Sequence, residues 1–198
     1  MADVQQMKIG LLLFQGVDEL DVTGPWEVFA TTDEVLPGAT ALFAMARTMD
    51  PVRGEKGLRF LPDVTFADAP DLDVLIVPGG KGRLEAMRDA TVLHFLRLRK
   101  PITGRLASVS TGAFLFAEAG FLQDREATTH WLFQKALKAY PGIRVRDARF
   151  VDAGDVLTSG GMACGIDLAL HIVQTSFGDD VASDVARRMC LAQGDRSA

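Results

Sequence analysis

Three short apolar runs, MKIGLLLF (7–14), DVLIVPGG (73–80) and RLASVS (105–110), each stop at a turn and give way to a helix-forming segment. Runs of that kind suit strands buried on both faces, and strands alternating with helices call for a parallel sheet covered on both sides. The rest of the chain fits this scheme. VTGPWEVFATTDE (22–34) reads as a helix, with Thr23 or Gly24 near its cap and Pro25 in the first turn, where proline is tolerated. ATALFAMARTM (39–49) reads as a strand between the stops Pro37-Gly38 and Asp50-Pro51. PVRGEKGLRFLPDVTF follows as short strands or loop, then KGRLEAMRDATVLHFLRLRK (81–100) as helix with a break near Asp89. TGAFLFAEAG (111–120) is a helix closed by Gly120, and ATTHWLFQKALKAY (127–140) is another that Pro141-Gly142 ends. Two short strands with a turn at 152–155 and two helices, 165–178 and 179–192, complete the chain. The expected fold is α/β, a mostly parallel sheet flanked by helices on both faces, forming one domain over residues 1–198.

Bulk properties narrow the function. With 48% hydrophobic and 24% charged residues, the 198-residue chain has an ordinary globular composition and needs no staples to build a core. The net charge of −5 argues against nucleic acid as the main partner. The basic pair Arg187-Arg188 is offset by Asp179, Asp180 and Asp184. No apolar run reaches the roughly 18 residues of a membrane span, so no membrane association is expected. The N-terminal MADVQQMKIG lacks signal-peptide features, and a cytoplasmic location is expected. The two cysteines, Cys164 and Cys190, form no metal-site spacing and read as small buried helix residues.

In a sheet of this type, sites lie outside the carboxyl ends of the strands. Three loops fall there: 15–24, 78–82 and 110–112. They single out Asp18, Glu19, Asp21, Gly79, Gly80, Ser110 and Thr111. Ser110, on an abrupt strand-to-helix break between small neighbours, has the outline of a nucleophile elbow, although position 108 is Ser and the GxSxG pattern is not met. A serine needs an adjacent base. Of three histidines, His94 and His171 lie within helices away from these loops, leaving His130 as the one candidate to approach. Gly79-Gly80 reads either as a tight turn or as backbone amides placed to stabilise an oxyanion. Asp21 reads either as a helix-capping carboxylate or as an acid of raised pKa that trades protons.

Four stretches, IGLLLFQGVDELDVTGPWEVF, LDVLIVPGGKG, SVSTGAFLFAEAGFLQDREATTHW and VLTSGGMACGIDLALHIV, together resemble the ThiJ/PfpI superfamily, in its order and over most of residues 8–175. The resemblance implies the class I glutamine amidotransferase-like sandwich, a flavodoxin-like arrangement. Within the superfamily the likeness is to isocyanide hydratases and to the sensor domains of some AraC-type regulators. It implies a nucleophile at Ser110, where the family carries cysteine in a run like S-V-C-T-G. It implies a proton-moving acid at Asp21 and a residue flanking the nucleophile at Thr111. Gly79 and Gly80 take the place of strand-end glycines whose amides face the reacting centre. It also implies a small-molecule substrate, a homodimer, and no metal or organic cofactor.

Serine at 110 is the departure. A cysteine thiol ordinarily titrates near 8.5 and is readily lowered, whereas an alcohol is far less acidic, so the site is suited to activate a thiol. Two accounts follow: a substitution that traps an inactive enzyme, or a native serine in a member that binds a ligand without turning it over. The otherwise intact Asp21, Thr111 and Gly79-Gly80 set favours the first. The resulting expectation is an isocyanide hydratase-like lyase, impaired as it stands. The alternative is a non-catalytic ligand-sensing domain. Regulators of that type carry a helix-turn-helix region after this domain, and ending at Ala198 this chain is expected to have no such reader. Protease activity draws little support without a Cys-His pair.

Overall fold

The computed structural model describes residues 5–191. The chain start through residue 4, the expected helix end at Ala192 and the terminus at Ala198 lie outside them. The order of elements is β1 (Met7–Leu12), α1 (Glu19–Val35), β2 (Thr40–Ala46), β3 (Val52–Arg53), β4 (Arg59–Phe60), β5 (Val64–Thr65), β6 (Val74–Val77), α2 (Arg83–Ala86), α3 (Ala90–Arg99) and β7 (Arg105–Val109). A 3-10 turn over Ser110–Gly112 leads into α4 (Ala113–Ala119). Then come β8 (Glu126–Ala127), a second 3-10 turn (Trp131–Phe133), α5 (Gln134–Leu137), β9 (Arg144–Val145), β10 (Phe150–Asp152), β11 (Val156–Ser159), α6 (Ala163–Phe177) and α7 (Asp179–Arg188).

Seven strands form the main sheet in the order β10-β11-β7-β6-β1-β2-β5. Every neighbouring pair is parallel except β10 with β11. In β1, β6 and β7, successive residues such as Leu11 and Leu12, Leu75 and Ile76, and Leu106 and Ala107 are all buried, because helices cover both faces of the sheet. One helical layer is α1, α6 and α7 packed together; the other contains α2, α3 and α4. From β1 the chain first builds outward to β2 and then returns to place β6 on the other side of β1. That reversal opens a crevice at the carboxyl ends of β1 and β6, where the candidate loops lie.

The structure moves several expected boundaries. Helix α1 starts at Glu19, because the Asp18 side chain accepts hydrogen bonds from the N–H groups of Leu20 (3.0 Å) and Asp21 (3.4 Å) and caps it there. Neither Thr23 nor Gly24 is the cap, and Pro25 lies in the helix interior. Around it α1 and α6 pack closely: a Cβ on Gly24 would stand 3.1 Å from Ile166, and one on Gly165 3.5 Å from Pro25. The expected helix 127–140 is reduced to the 3-10 turn and the short α5. Thr128 N–H donates to Thr158 Oγ1 (2.8 Å) and Thr129 Oγ1 to the Ser110 carbonyl (2.8 Å), which hold that stretch extended against the sheet. The region 143–161 holds a further strand, β9, paired with β8. Cys164 is half-buried in the first turn of α6, but Cys190 is exposed beyond α7, where the chain turns through a left-handed residue at φ 53°.

Glycine is obligatory where the elbow crosses the end of β6, since a Cβ on Gly112 would stand 2.2 Å from the Val77 carbonyl oxygen. Gly112→Ala is expected to lower stability by at least about 3 kcal/mol through this backbone clash, read as a fall in the urea midpoint at unchanged m-value.

Candidate functional site

Ser110 follows the last residue of β7 and adopts φ 55°, a left-handed conformation that L side chains rarely take. Holding a non-glycine residue there costs on the order of 1–3 kcal/mol and lifts its side chain clear of the strand. The surroundings are shaped for it. A Cβ on Gly161 would lie 2.6 Å from both Cβ and Oγ of Ser110, so only glycine fits opposite the elbow. Ser110 is 8% exposed and opens on a cleft of about 160 Å³ whose wall includes Asp18, Gly80, Arg83, His130, Phe133 and Met162.

Asp21 lies behind this cleft, with none of its surface exposed. Its Oδ1 accepts from the Met162 N–H (2.8 Å) and its Oδ2 from the Gly79 N–H (3.1 Å). One carboxyl therefore joins α1 to the loops after β6 and β11. Burial pushes it up from 3.8 to about 7, helped by the nearby Asp18 charge and opposed by the two N–H bonds and Lys56. The capping role belongs to Asp18, so of the two readings of Asp21 the raised acid is the one its environment supports.

Thr111 is buried and its Oγ1 accepts from the Gly80 N–H (3.1 Å). Gly79 fits between the two side chains: a Cβ there would lie 2.5 Å from Thr111 Oγ1 and 3.0 Å from Asp21 Oδ2. Gly80 lines the cleft together with Ser110 and Thr111. The N–H groups of Gly79 and Gly80 are engaged, one by the Asp21 carboxyl and one by the Thr111 hydroxyl, so they position those side chains.

Asp18 forms an ion pair with Lys56, which also reaches Glu55 (3.1 Å) and Glu19 (3.8 Å). Glu19 Oε1 accepts from the N–H groups of Lys56 (2.7 Å) and Leu58 (3.3 Å), pinning the 53–58 loop beside the cleft. His130 reaches the cleft, as its position in the sequence allowed. Its Nδ1, however, accepts from the Leu132 N–H (3.3 Å), which in a neutral ring leaves the proton on Nε2. That tautomer has no free nitrogen to deprotonate Ser110, and among the described residues Ser110 Oγ makes no hydrogen bond. His171 pairs with Asp152 (2.7 Å) and lies outside the cleft, as does His94.

Residues 7–175 match the sequence profile of the DJ-1/PfpI family. The chain belongs to the DJ-1/PfpI family. It is 39% identical over 176 residues to an isonitrile hydratase of Pseudomonas putida, covering 89% of this chain and 75% of that one. It is 31% identical over 145 residues to the HTH-type transcriptional regulator CdhR of Pseudomonas aeruginosa, covering 72% of this chain and 43% of the regulator. The crystal structure of a ThiJ/PfpI family protein from Pseudomonas syringae superposes with a TM-score of 0.87 at 29% identity, over all of this chain and 81% of that one.

Three parts of this DJ-1/PfpI cleft escaped the sequence reading. The loop at 160–162 was one; its signal was Ser159-Gly160-Gly161 directly after a strand, the same punctuation as Pro78-Gly79-Gly80. The others, Glu55 with Lys56 and Arg83 with Phe133, carry no local signal.

The Asp21 carboxyl gives the fold a definite pH dependence. Its value is raised on folding, so its contribution to stability is full below pH 3.8 and is lost as pH rises through about 7. The change is on the order of 4 kcal/mol between pH 4 and 8. In Asp21→Asn one oxygen becomes an NH₂ facing an N–H donor, a penalty that does not vary with pH. Urea titrations from pH 4 to 8 are therefore expected to show a shallower loss of stability in the variant; parallel curves would refute the raised carboxyl.

Proposed function

We propose that this chain carries the site of an isocyanide hydratase-like lyase, adding water to an isocyanide to give an N-substituted formamide, and that serine at 110 impairs it. The observation that carries the reading is Asp21: a carboxyl that titrates near 7, held beside the elbow residue Thr111 by the same strand-end turn. The reaction needs a nucleophile on the terminal carbon and a proton on that same carbon. With a thiol at 110, sulfur would add to the carbon of R–N≡C while the thiol proton is relayed to it, giving the thioimidate R–N=CH–S. Water then adds to that carbon and the sulfur leaves with a proton, releasing R–NH–CHO. An acid titrating near 7 is balanced to pass the proton in both steps. Thr111, Gly79 and Gly80 hold the groups in register.

A serine hydroxyl at 110 lacks this route, because its alkoxide is inaccessible, the Asp21 carboxylate is too weak a base for an alcohol, and His130 Nδ1 already accepts the Leu132 N–H. The same observation favours a second reading, a ligand-binding domain without turnover, and the similarity to CdhR fits it. Formamide production from an aryl isocyanide separates the two. Ser110→Cys is expected to raise turnover at least about 100-fold over the serine protein. Adding Asp21→Asn to the cysteine protein is expected to cost about 100-fold in kcat. Equal turnover with serine and cysteine would overturn the thiol mechanism, and absence of turnover in both would leave ligand binding as the function.

A further inference from the structure

Arg83 is a cation in the cleft with no carboxylate of its own. It opens α2, directly after the Gly79-Gly80 turn, and its guanidinium carbon lies 4.4 Å from the ring centre of Phe133 and 5.7 Å from that of Phe114. One nitrogen donates to the Gly80 carbonyl (3.3 Å). Among the described residues no acidic side chain stands within ion-pair distance. Glu55 attracts it only through space, and burial lowers its pKa. A half-buried guanidinium normally has a carboxylate to offset its lost hydration. Here two aromatic faces supply part of that compensation and fix the plane of the group.

The neighbouring charges leave the position open. Lys56 takes up Asp18 and Glu55, and Glu55 Oε2 also accepts the Lys81 backbone N–H (2.8 Å). Asp18, Glu19 and Glu55 are thus all shared with Lys56, and Arg83 is the cation of the cleft wall that ring faces rather than a carboxylate hold in place.

We propose that Arg83 determines specificity by binding an anionic substituent, a carboxylate, on the small isocyanide that occupies the Ser110 cleft. The inference rests on the hydratase reading for the reacting group; the anion site rests on the cleft alone. The fork of guanidinium N–H donors suits two-point binding of a carboxylate, which a lysine at this position would not reproduce.

The test is calorimetric binding of the product-like probes 4-formamidobenzoate and its neutral methyl ester to the Ser110 protein. The carboxylate is expected to bind at least about tenfold tighter than the ester. Arg83→Met is expected to remove that preference, Arg83→Lys to keep only part of it, and added salt to reduce it in the unaltered protein. Thermal melts check that both variants fold, and the salt series stands without them. Equal affinity for the two probes, or a preference that survives in folded Arg83→Met, overturns the proposal. The Ser110→Cys protein separates it from the hydratase reading. If that protein yields no formamide while the Arg83-dependent preference holds, the hydratase reading falls and the anion site stands. If it hydrates 4-isocyanobenzoate and its methyl ester with equal kcat/KM, the specificity proposal falls and the hydratase reading stands.

Discussion

The carboxyl of Asp21 holds the site together. Its two oxygens take backbone N–H groups from loops that follow different strands, Gly79 after β6 and Met162 after β11, while its own backbone belongs to the first turn of α1. Two strand ends and the first turn of α1 are thereby fixed relative to one another by a side chain with no exposure to water. The same burial that makes these bonds count in stability raises the proton affinity of the group. Structural clamp and raised acid are the same atoms.

Around that clamp, strain and glycine are arranged in complementary fashion. Ser110 is held in a left-handed conformation, and the neighbouring positions that would obstruct it are glycines: Gly161 opposite its side chain and Gly112 where the turn crosses β6. Met162, the residue that donates to Asp21, is itself left-handed at φ 48°. Two strained residues therefore meet at one carboxyl and one elbow, a concentration of unfavourable backbone geometry usual at functional sites.

The sequence disclosed the sheet because strands buried on both faces must be apolar along their length, as in LDVLIVPGG and RLASVS. It disclosed the elbow and the strand-end turns because close backbone approach admits only small residues, as at Gly79 and Gly112. Local preference misplaces α1 and the segment after residue 127 for one physical reason. Pro25 suits the first turn of a helix, whereas the Asp18 cap starts α1 at Glu19. Pro141-Gly142 ends a helix that would begin at residue 127, whereas Thr128 and Thr129 are tied to β11 and to the elbow carbonyl.

By itself, the sequence determined an α/β fold of mostly parallel strands, the crossing of chain and glycine at the elbow, and the residues Asp21, Ser110 and Thr111 that gather there. These follow from periodicity, burial and turn chemistry, which act over a few residues. Only the tertiary structure decided that Asp21 is a clamped, raised acid while Asp18 is the cap. It also decided that the Gly79 and Gly80 amides are engaged, and that Arg83 lies over Phe133 without a carboxylate partner. Each of these depends on which strand ends stand side by side, and strand order joins residues as far apart as Asp21 and Met162, between which no local pattern in the chain is shared.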